Sequence, residues 1–198
     1  MRNYFVSLLF LLIFVSCQVD IRQVPPSKQD SVSSIAKYPN QLYIGKFDII
    51  THDRMRFVNS WRTVFIDHLK SARIFQKVSI PDLNSKITSE DYTIDVTITP
   101  LYSNTYNYWW TWPAIYPLTF YWPVQIRDHF YKVQLDYNLY QGSKLIANNT
   151  ITEEAETTIE IYGFFRTANV EKMIETTNLM VMEKSFRYLE GNLQAIQN

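Results

Sequence analysis

Cysteine, glycine and clusters of like charge are scarce in this sequence, and each scarcity argues against a type of structure or of partner. The 198 residues contain one cysteine, Cys17, so no disulfide framework is possible and the fold must be held together by its core. Four glycines leave few flexible points in the backbone. The 19 basic and 19 acidic side chains balance and form no basic block, which argues against nucleic acid as a partner.

Motifs for catalysis and for metal binding are also missing. The sequence has no Gly-rich phosphate loop and no GxSxG nucleophile elbow. The histidines are far apart and have no metal-ligand spacing such as HExxH, which favours surface or packing roles. They are His52, His68 and His129. We therefore predict no metal site and no cofactor.

The carboxylates do not suggest acid-base chemistry. Asp91, Asp95 and Asp136 lie on strand patterns at positions that face solvent, whereas a tuned catalytic pair needs burial in a pocket. The acidic cluster at residues 153–156 is explained by a solvated strand edge or turn. The sequence thus predicts a protein that is not an enzyme and has no catalytic residue.

The N-terminal segment, by contrast, is strongly apolar. Arg2 is followed by an apolar run from Tyr4 to Val15 that only Ser7 interrupts. One positive charge before such a run is typical of a secretory signal. At about 12 residues the run is shorter than the roughly 20 that a spanning helix needs, which disfavours a permanent transmembrane anchor.

The run ends in Phe14-Val15-Ser16-Cys17, which resembles the lipobox of bacterial lipoprotein precursors, with Phe14 where Leu is commonest. The resemblance implies that residues 1–16 are a signal peptide and that Cys17 is the lipidation site, carrying two or three acyl chains such as palmitate. Gln18 follows without an Asp, which by the enterobacterial sorting rule implies the outer membrane, with the domain facing the periplasm. The alternative is an ordinary cleaved signal with a leftover cysteine.

Residues 17–40 read as the lipidated cysteine and a flexible tether, because they are polar and lack apolar periodicity. Residues 41–198 then form a single α+β domain. Its first half is predicted to hold a strand at Leu42–Ile50, a helix capped by Asp53 that ends near Ala72, and a brief strand or edge at Ile74–Val78. A polar loop at residues 81–90 follows.

Alternation of apolar and polar residues predicts the second half of the domain. Strands are expected near residues 92–99, 131–140 and 144–161, with a turn at 141–143, followed by a long closing helix capped by Asn169. We expect an antiparallel sheet with the two main helices packed on one face.

A loop rich in proline and aromatic residues, 102–126, separates two of these strands and holds four of the five tryptophans. We call it the aromatic insertion. Its prolines forbid a continuous helix or central strand. Three interpretations stay open: a second small core over the sheet, contact with a partner or a second copy, or contact with lipid. The candidate contact residues are Trp109, Trp110, Trp112, Tyr116, Phe120, Tyr121 and Trp122.

Element order and the strand type Asp91-Tyr92-Thr93-Ile94-Asp95-Val96 resemble a loose group of envelope lipoproteins. Gly45-Lys46-Phe47, the helix around 61–69 and the strand 135–140 add to this resemblance. The group comprises auxiliary lipoproteins of ABC-type transport systems, the lipopolysaccharide-assembly lipoprotein LptE, and CsgG-like and PelC-like export lipoproteins.

The resemblance implies a membrane-anchored scaffold or assembly factor for a transport or export complex. Its expected partners are the membrane, reached through the N-terminal lipid, an envelope protein complex and further copies of the chain in a homo-oligomer. A carrier of lipid or another hydrophobic ligand, whose cavity the aromatic insertion lines, is the alternative. An adhesin-like surface lipoprotein is the third possibility.

Overall fold

The computed structural model describes residues 37–50, 58–81, 88–106, 127–159 and 164–197. These ranges contain one sheet of five strands and two helices, so the predicted α+β class is confirmed. In chain order the elements are β1 (Tyr38–Ile49), α1 (Val58–Ala72), β2 (Phe75–Ser79), β3 (Tyr92–Tyr106), β4 (Arg127–Gln141), β5 (Lys144–Ile159) and α2 (Phe164–Gln197).

The strands lie in the order β2-β1-β3-β4-β5. Strands β3, β4 and β5 pair antiparallel, as the alternating pattern predicts. The sheet as a whole is mixed rather than wholly antiparallel, because β1 runs parallel to both β2 and β3. Helix α1 accounts for the first of these two pairings, because it carries the chain back so that β2 starts at the same end of the sheet as β1.

One face of the sheet is apolar and buried, and the other is polar. Alternate residues of β4, from Tyr131 to Leu139, are at most 2% exposed. Between them, Asp136 points to the opposite face, where it accepts hydrogen bonds from Gln134 and Thr150. This period of two is that of a strand with one face against a core.

Both helices cover the apolar face. Phe65 of α1 contacts Phe47 of β1, with ring centroids 5.7 Å apart, and also Phe186 of α2, with centroids 5.2 Å apart. Aromatic pairs at these separations stabilise a core beyond the apolar area that they bury. Phe65 therefore links the sheet and the two helices in one layer of packing.

Several element boundaries differ from those that the sequence predicts. Strand β1 begins at Tyr38, four residues before Leu42, because the buried ring of Tyr38 packs against Phe75. Helix α2 begins at Phe164, so Asn169 lies inside the helix and does not cap it. The stretch from Phe164 to Ala168 contains no Gly or Pro, and the helix extends through it.

Some sequence predictions fall outside the described residues. These are the signal peptide, most of the tether, the Asp53 cap, residues 82–87 of the polar loop and residues 107–126 of the aromatic insertion. Neither of the two helices that the structure describes has the length and apolar character needed to cross a membrane.

Strands β3, β4 and β5 extend beyond the end of β1. Pairing of β1 with β3 ends at Ile98, whereas β3 continues to Tyr106 with β4 as its described neighbour. At about 3.3 Å per residue, this three-stranded arm projects roughly 25 Å past β1. Val170 and Ile174 of α2 are fully buried near it. Residues 102–106, which the sequence assigned to the aromatic insertion, belong to β3 because they pair with β4, so the arm holds both ends of the remaining segment 107–126.

Candidate functional site

The candidate contact residues of the aromatic insertion lie outside the described residues, as does Cys17. The structure describes the ends of β3 and β4 that flank residues 107–126, and we call this part of the sheet the base of the insertion. Tyr106 at the end of β3 pairs with Arg127 at the start of β4. The two ends of the 20-residue segment between them are therefore held side by side by a regular antiparallel ladder.

A polar cluster lies at this base. His129 is only 2% exposed, and its Nδ1 shares a 2.7 Å hydrogen bond with the hydroxyl of Tyr102. The two rings are nearly parallel, with centroids 6.1 Å apart. The guanidinium of Arg127 donates to Asn104 Oδ1 at 3.3 Å. Cross-strand pairing sets Asn104 opposite His129, so the cluster follows from the register of β3 and β4.

The electrostatics of the cluster favour the neutral form of His129. Burial lowers the pKa of the imidazole, and the positive charges of Arg166 and Arg127 lower it further, against a smaller opposing effect of Asp128. Burial likewise raises the pKa of the Tyr102 hydroxyl. Burial thus favours the neutral forms of both Tyr102 and His129.

This environment predicts a pH-dependent stability. Below a pH of about 6.5 the histidine of the unfolded chain takes up a proton that buried His129 in the folded protein resists, so acid favours unfolding. We expect the free energy of unfolding to fall from pH 7.5 to pH 5, and to fall less in His129→Gln. Urea titrations at both pH values measure the difference.

The control for this prediction is His68→Gln, which removes another buried histidine and leaves His129 in place. It should keep the part of the pH dependence that His129 causes. If the free energy of unfolding fell equally between pH 7.5 and pH 5 in the wild type and in His129→Gln, the Tyr102–His129 pair would not couple folding to pH.

Two further polar contacts fix α2 on β4. The hydroxyl of Tyr131 donates to Asn178 Oδ1 at 2.7 Å in a fully buried setting, and burial raises the pKa of that hydroxyl. Nearer the C-terminus, Asn192 donates to the Tyr137 hydroxyl at 3.0 Å. Buried polar groups need such partners, so these bonds set the position of the helix along the strand.

An open groove of about 700 Å³ lies between β5 and α2. Its strand wall includes Ala155, Thr157 and Ile159, and its helix wall includes Met173 and Met180. The groove mixes apolar and hydroxyl-bearing side chains with Asn169 and the charged residues Glu154 and Lys172. It runs along the side of β5 that faces away from β4.

The carboxylates and histidines of the described ranges do not form a chemical centre. Asp95 accepts a hydrogen bond from the backbone of Lys46, and Asp91 accepts one from Thr88 in a turn. Within the described part of the chain, no three His, Cys, Asp or Glu side chains are grouped so that they could hold a metal ion. His52 lies outside those ranges.

Sequence reasoning missed the cluster around His129. The strand period that buries Tyr131 and Val133 also places His129 on the inner face, and this alternation could have revealed it. The approach of Arg166 could not have been found in that way, because it comes from a separate helix whose start the sequence placed too late.

Comparison with known proteins gives a family and several likenesses of fold. A model of an uncharacterised protein family matches residues 8–190. No curated protein matches the sequence.

Three solved structures illustrate the likenesses. A neuraminyllactose-binding hemagglutinin homologue from Helicobacter pylori has 8% identity and a TM-score of 0.48, covering 91% of this chain and 98% of its own. A minor lipoprotein from Acinetobacter baumannii has 10% identity and a TM-score of 0.47, covering 77% and 92%. Rare lipoprotein B from Shewanella oneidensis has 12% identity and a TM-score of 0.41, covering 78% and 99%.

Proposed function

The chain belongs to the uncharacterised family whose model spans residues 8–190, and from that premise we propose that it is a non-enzymatic, lipid-anchored lipoprotein of the bacterial envelope. In this proposal Cys17 carries the acyl chains in the outer membrane and the domain faces the periplasm. The domain acts as a scaffold or assembly factor, and the aromatic insertion is the surface that contacts its partner.

The observation that carries this proposal is that Tyr106 and Arg127, which flank residues 107–126 of the aromatic insertion, lie side by side at the tip of the arm. Both ends of that segment are fixed by the Tyr106–Arg127 pair, and α2 is bonded to β4 through Asn178. A rigid support reduces the ordering cost of binding. Large aromatic side chains presented on such a support are the residues that dominate protein interfaces.

The direction of the strands favours a protein partner, rather than the membrane that anchors the chain, as what the aromatic insertion contacts. The chain enters β1 at Tyr38, at the end of the sheet where β3 begins, whereas the insertion emerges at the other end of β3. The length of β3 separates these two ends by roughly 45 Å at 3.3 Å per residue. The tether and the insertion thus leave the domain from opposite ends.

Replacement of Trp109, Trp110 and Trp112 by Ala tests the proposal. A photo-reactive amino acid at Tyr121 in the full lipidated chain should give one discrete protein adduct in cells. The triple variant should lose at least about 90% of that adduct, because truncating several central aromatic anchors removes several kcal/mol of binding. Immunoblotting and mass spectrometry of the adduct measure the loss.

The matched control places the same photo-reactive group at Tyr188, an exposed side chain of α2. It should not give that adduct. A lipid adduct at Tyr121 would support membrane contact in place of a protein partner, and a bound apolar ligand would support the carrier alternative. A collapsed circular dichroism spectrum of the triple variant would show that the tryptophans are core residues. An adduct between two copies would identify the partner as the chain itself.

A further inference from the structure

Strand β5 lies at one edge of the sheet. It is 16 residues long and, within the ranges that the structure describes, it pairs with β4 alone. The backbone N–H and C=O groups along its outer side therefore form a row that another strand can bond. The groove beside α2 lies along this row at residues 154–159.

The groove has the chemistry for an extended peptide. A strand added to β5 alternates its side chains between the two faces of the sheet. Side chains on the inner face would lie against Met173 and Met180 of α2, and Met180 is 49% exposed. The methionine side chains on the α2 side of the groove are flexible, so they can pack against small apolar residues of an added strand.

The other face of the same strand is acidic. Glu154 and Glu156 project from β5 on the open side of the sheet, and both are exposed. Lys132 of β4 approaches Glu154 at 3.9 Å, with the Glu154 side chain still 63% exposed. Opposite charges on neighbouring strands attract, so residues of an added strand that lie beside these glutamates should be basic.

The same charges disfavour a second copy of this chain as the occupant. Antiparallel pairing of two β5 strands centred on Ala155 sets Glu154 opposite Glu156 of the other copy. Pairing centred on Glu156 sets that residue opposite itself. Like charges directly opposite each other destabilise a pair of strands. Where two copies would pair across the groove, the acidic edge thus favours a different chain as the occupant.

We propose that the β5 edge and the groove beside α2 form a docking site for an extended segment of another protein, which joins the sheet as a sixth strand. The segment carries Lys or Arg at alternate positions beside Glu154 and Glu156, and small apolar residues between them facing α2. The site goes beyond the proposed function, because it involves neither the aromatic insertion nor the lipid.

A peptide of sequence Thr-Val-Lys-Val-Lys-Val-Thr tests the site, with the full-length protein held in a non-ionic detergent. Fluorescence anisotropy should show saturable binding, and a version with Glu in place of both Lys should bind at least about tenfold more weakly. Two further versions are methylated on the backbone nitrogens, one at odd and one at even positions. Because alternate N–H groups point to the same edge of a strand, one of these should keep its affinity and the other should lose it.

Glu156→Lys tests the charge, with Glu90→Lys as the matched control, since Glu90 is exposed at the opposite end of the sheet. Glu156→Lys should weaken binding of the Lys peptide about tenfold and strengthen binding of the Glu peptide, whereas Glu90→Lys should change neither. Equal affinity of the two N-methylated peptides would overturn strand addition. Dimerisation of the chain through β5 would overturn the choice of occupant. Neither result depends on the insertion, so the proposed function is tested separately.

Discussion

A Cys17→Ala variant is expected to lose acylation altogether, and with it durable attachment to the membrane. A single acyl chain binds a bilayer only marginally, while each further buried methylene adds about 0.8 kcal/mol. Removing two or three chains should therefore lower the membrane affinity by several orders of magnitude. Mass spectrometry of the mature N-terminus should find an acylated peptide that begins at Cys17 in the wild type and none in the variant.

The apolar run before Cys17 needs a control of its own. A variant that cannot be processed retains residues 4–15, and an uncleaved signal can itself hold a chain in the membrane. A second variant replaces residues 1–17 with a conventional cleavable signal, so that the exported protein starts at Gln18. It should be recovered in the soluble fraction. Ser16→Ala keeps a small residue before the cysteine and should be acylated normally.

Membrane partition of the protein that starts at Gln18 would count against the role of the lipid. It would show that the domain itself binds the bilayer, and the aromatic insertion would be the first segment to examine. Absence of acylation in the wild type would remove the lipoprotein assignment. These outcomes are separate from the cross-linking test, which concerns the insertion.

Strands β3, β4 and β5 could be predicted because their sequences alternate apolar and polar residues with a period of two. Ile94 and Val96 face the core, as do Leu135 and Tyr137, and the register pairs Val96 with Tyr137. Alternation reports which face a side chain takes, but it does not report strand direction. The parallel orientation of β1 could therefore not be predicted from the pattern, since it depends on how the chain connects the strands, as α1 does between β1 and β2.

Local sequence patterns did not predict the features that depend on packing between elements distant in the sequence. Tyr38 follows a polar stretch and precedes Pro39, yet it lies in a strand because its ring packs against Phe75. Asn169 has the chemistry of a helix cap, but the helix begins earlier and includes it. The His129 cluster combines β3, β4 and α2, so no local window contains it. The interpretation of the aromatic insertion as a contact surface stays a prediction.

Phe65→Ala is expected to destabilise the domain by about 3–5 kcal/mol, as for other buried phenylalanines. Phe65 is 1% exposed and contacts Phe47 of β1 and Phe186 of α2. Its removal leaves a cavity where β1, α1 and α2 meet, and it deletes two aromatic contacts at once. Since small domains have about 5–15 kcal/mol of stability in total, the urea midpoint should fall sharply.

Two companion variants separate the cavity from a general effect of substitution. Phe65→Leu keeps most of the apolar volume and should cost less than Phe65→Ala. Tyr188→Ala removes a ring that is 55% exposed, so it should change the free energy of unfolding by no more than about 0.5 kcal/mol. A small effect of Phe65→Ala would mean that α1 is not packed against both β1 and α2. The helix layer would then be held mainly by α2, through its hydrogen bonds to Tyr131 and Tyr137 on β4.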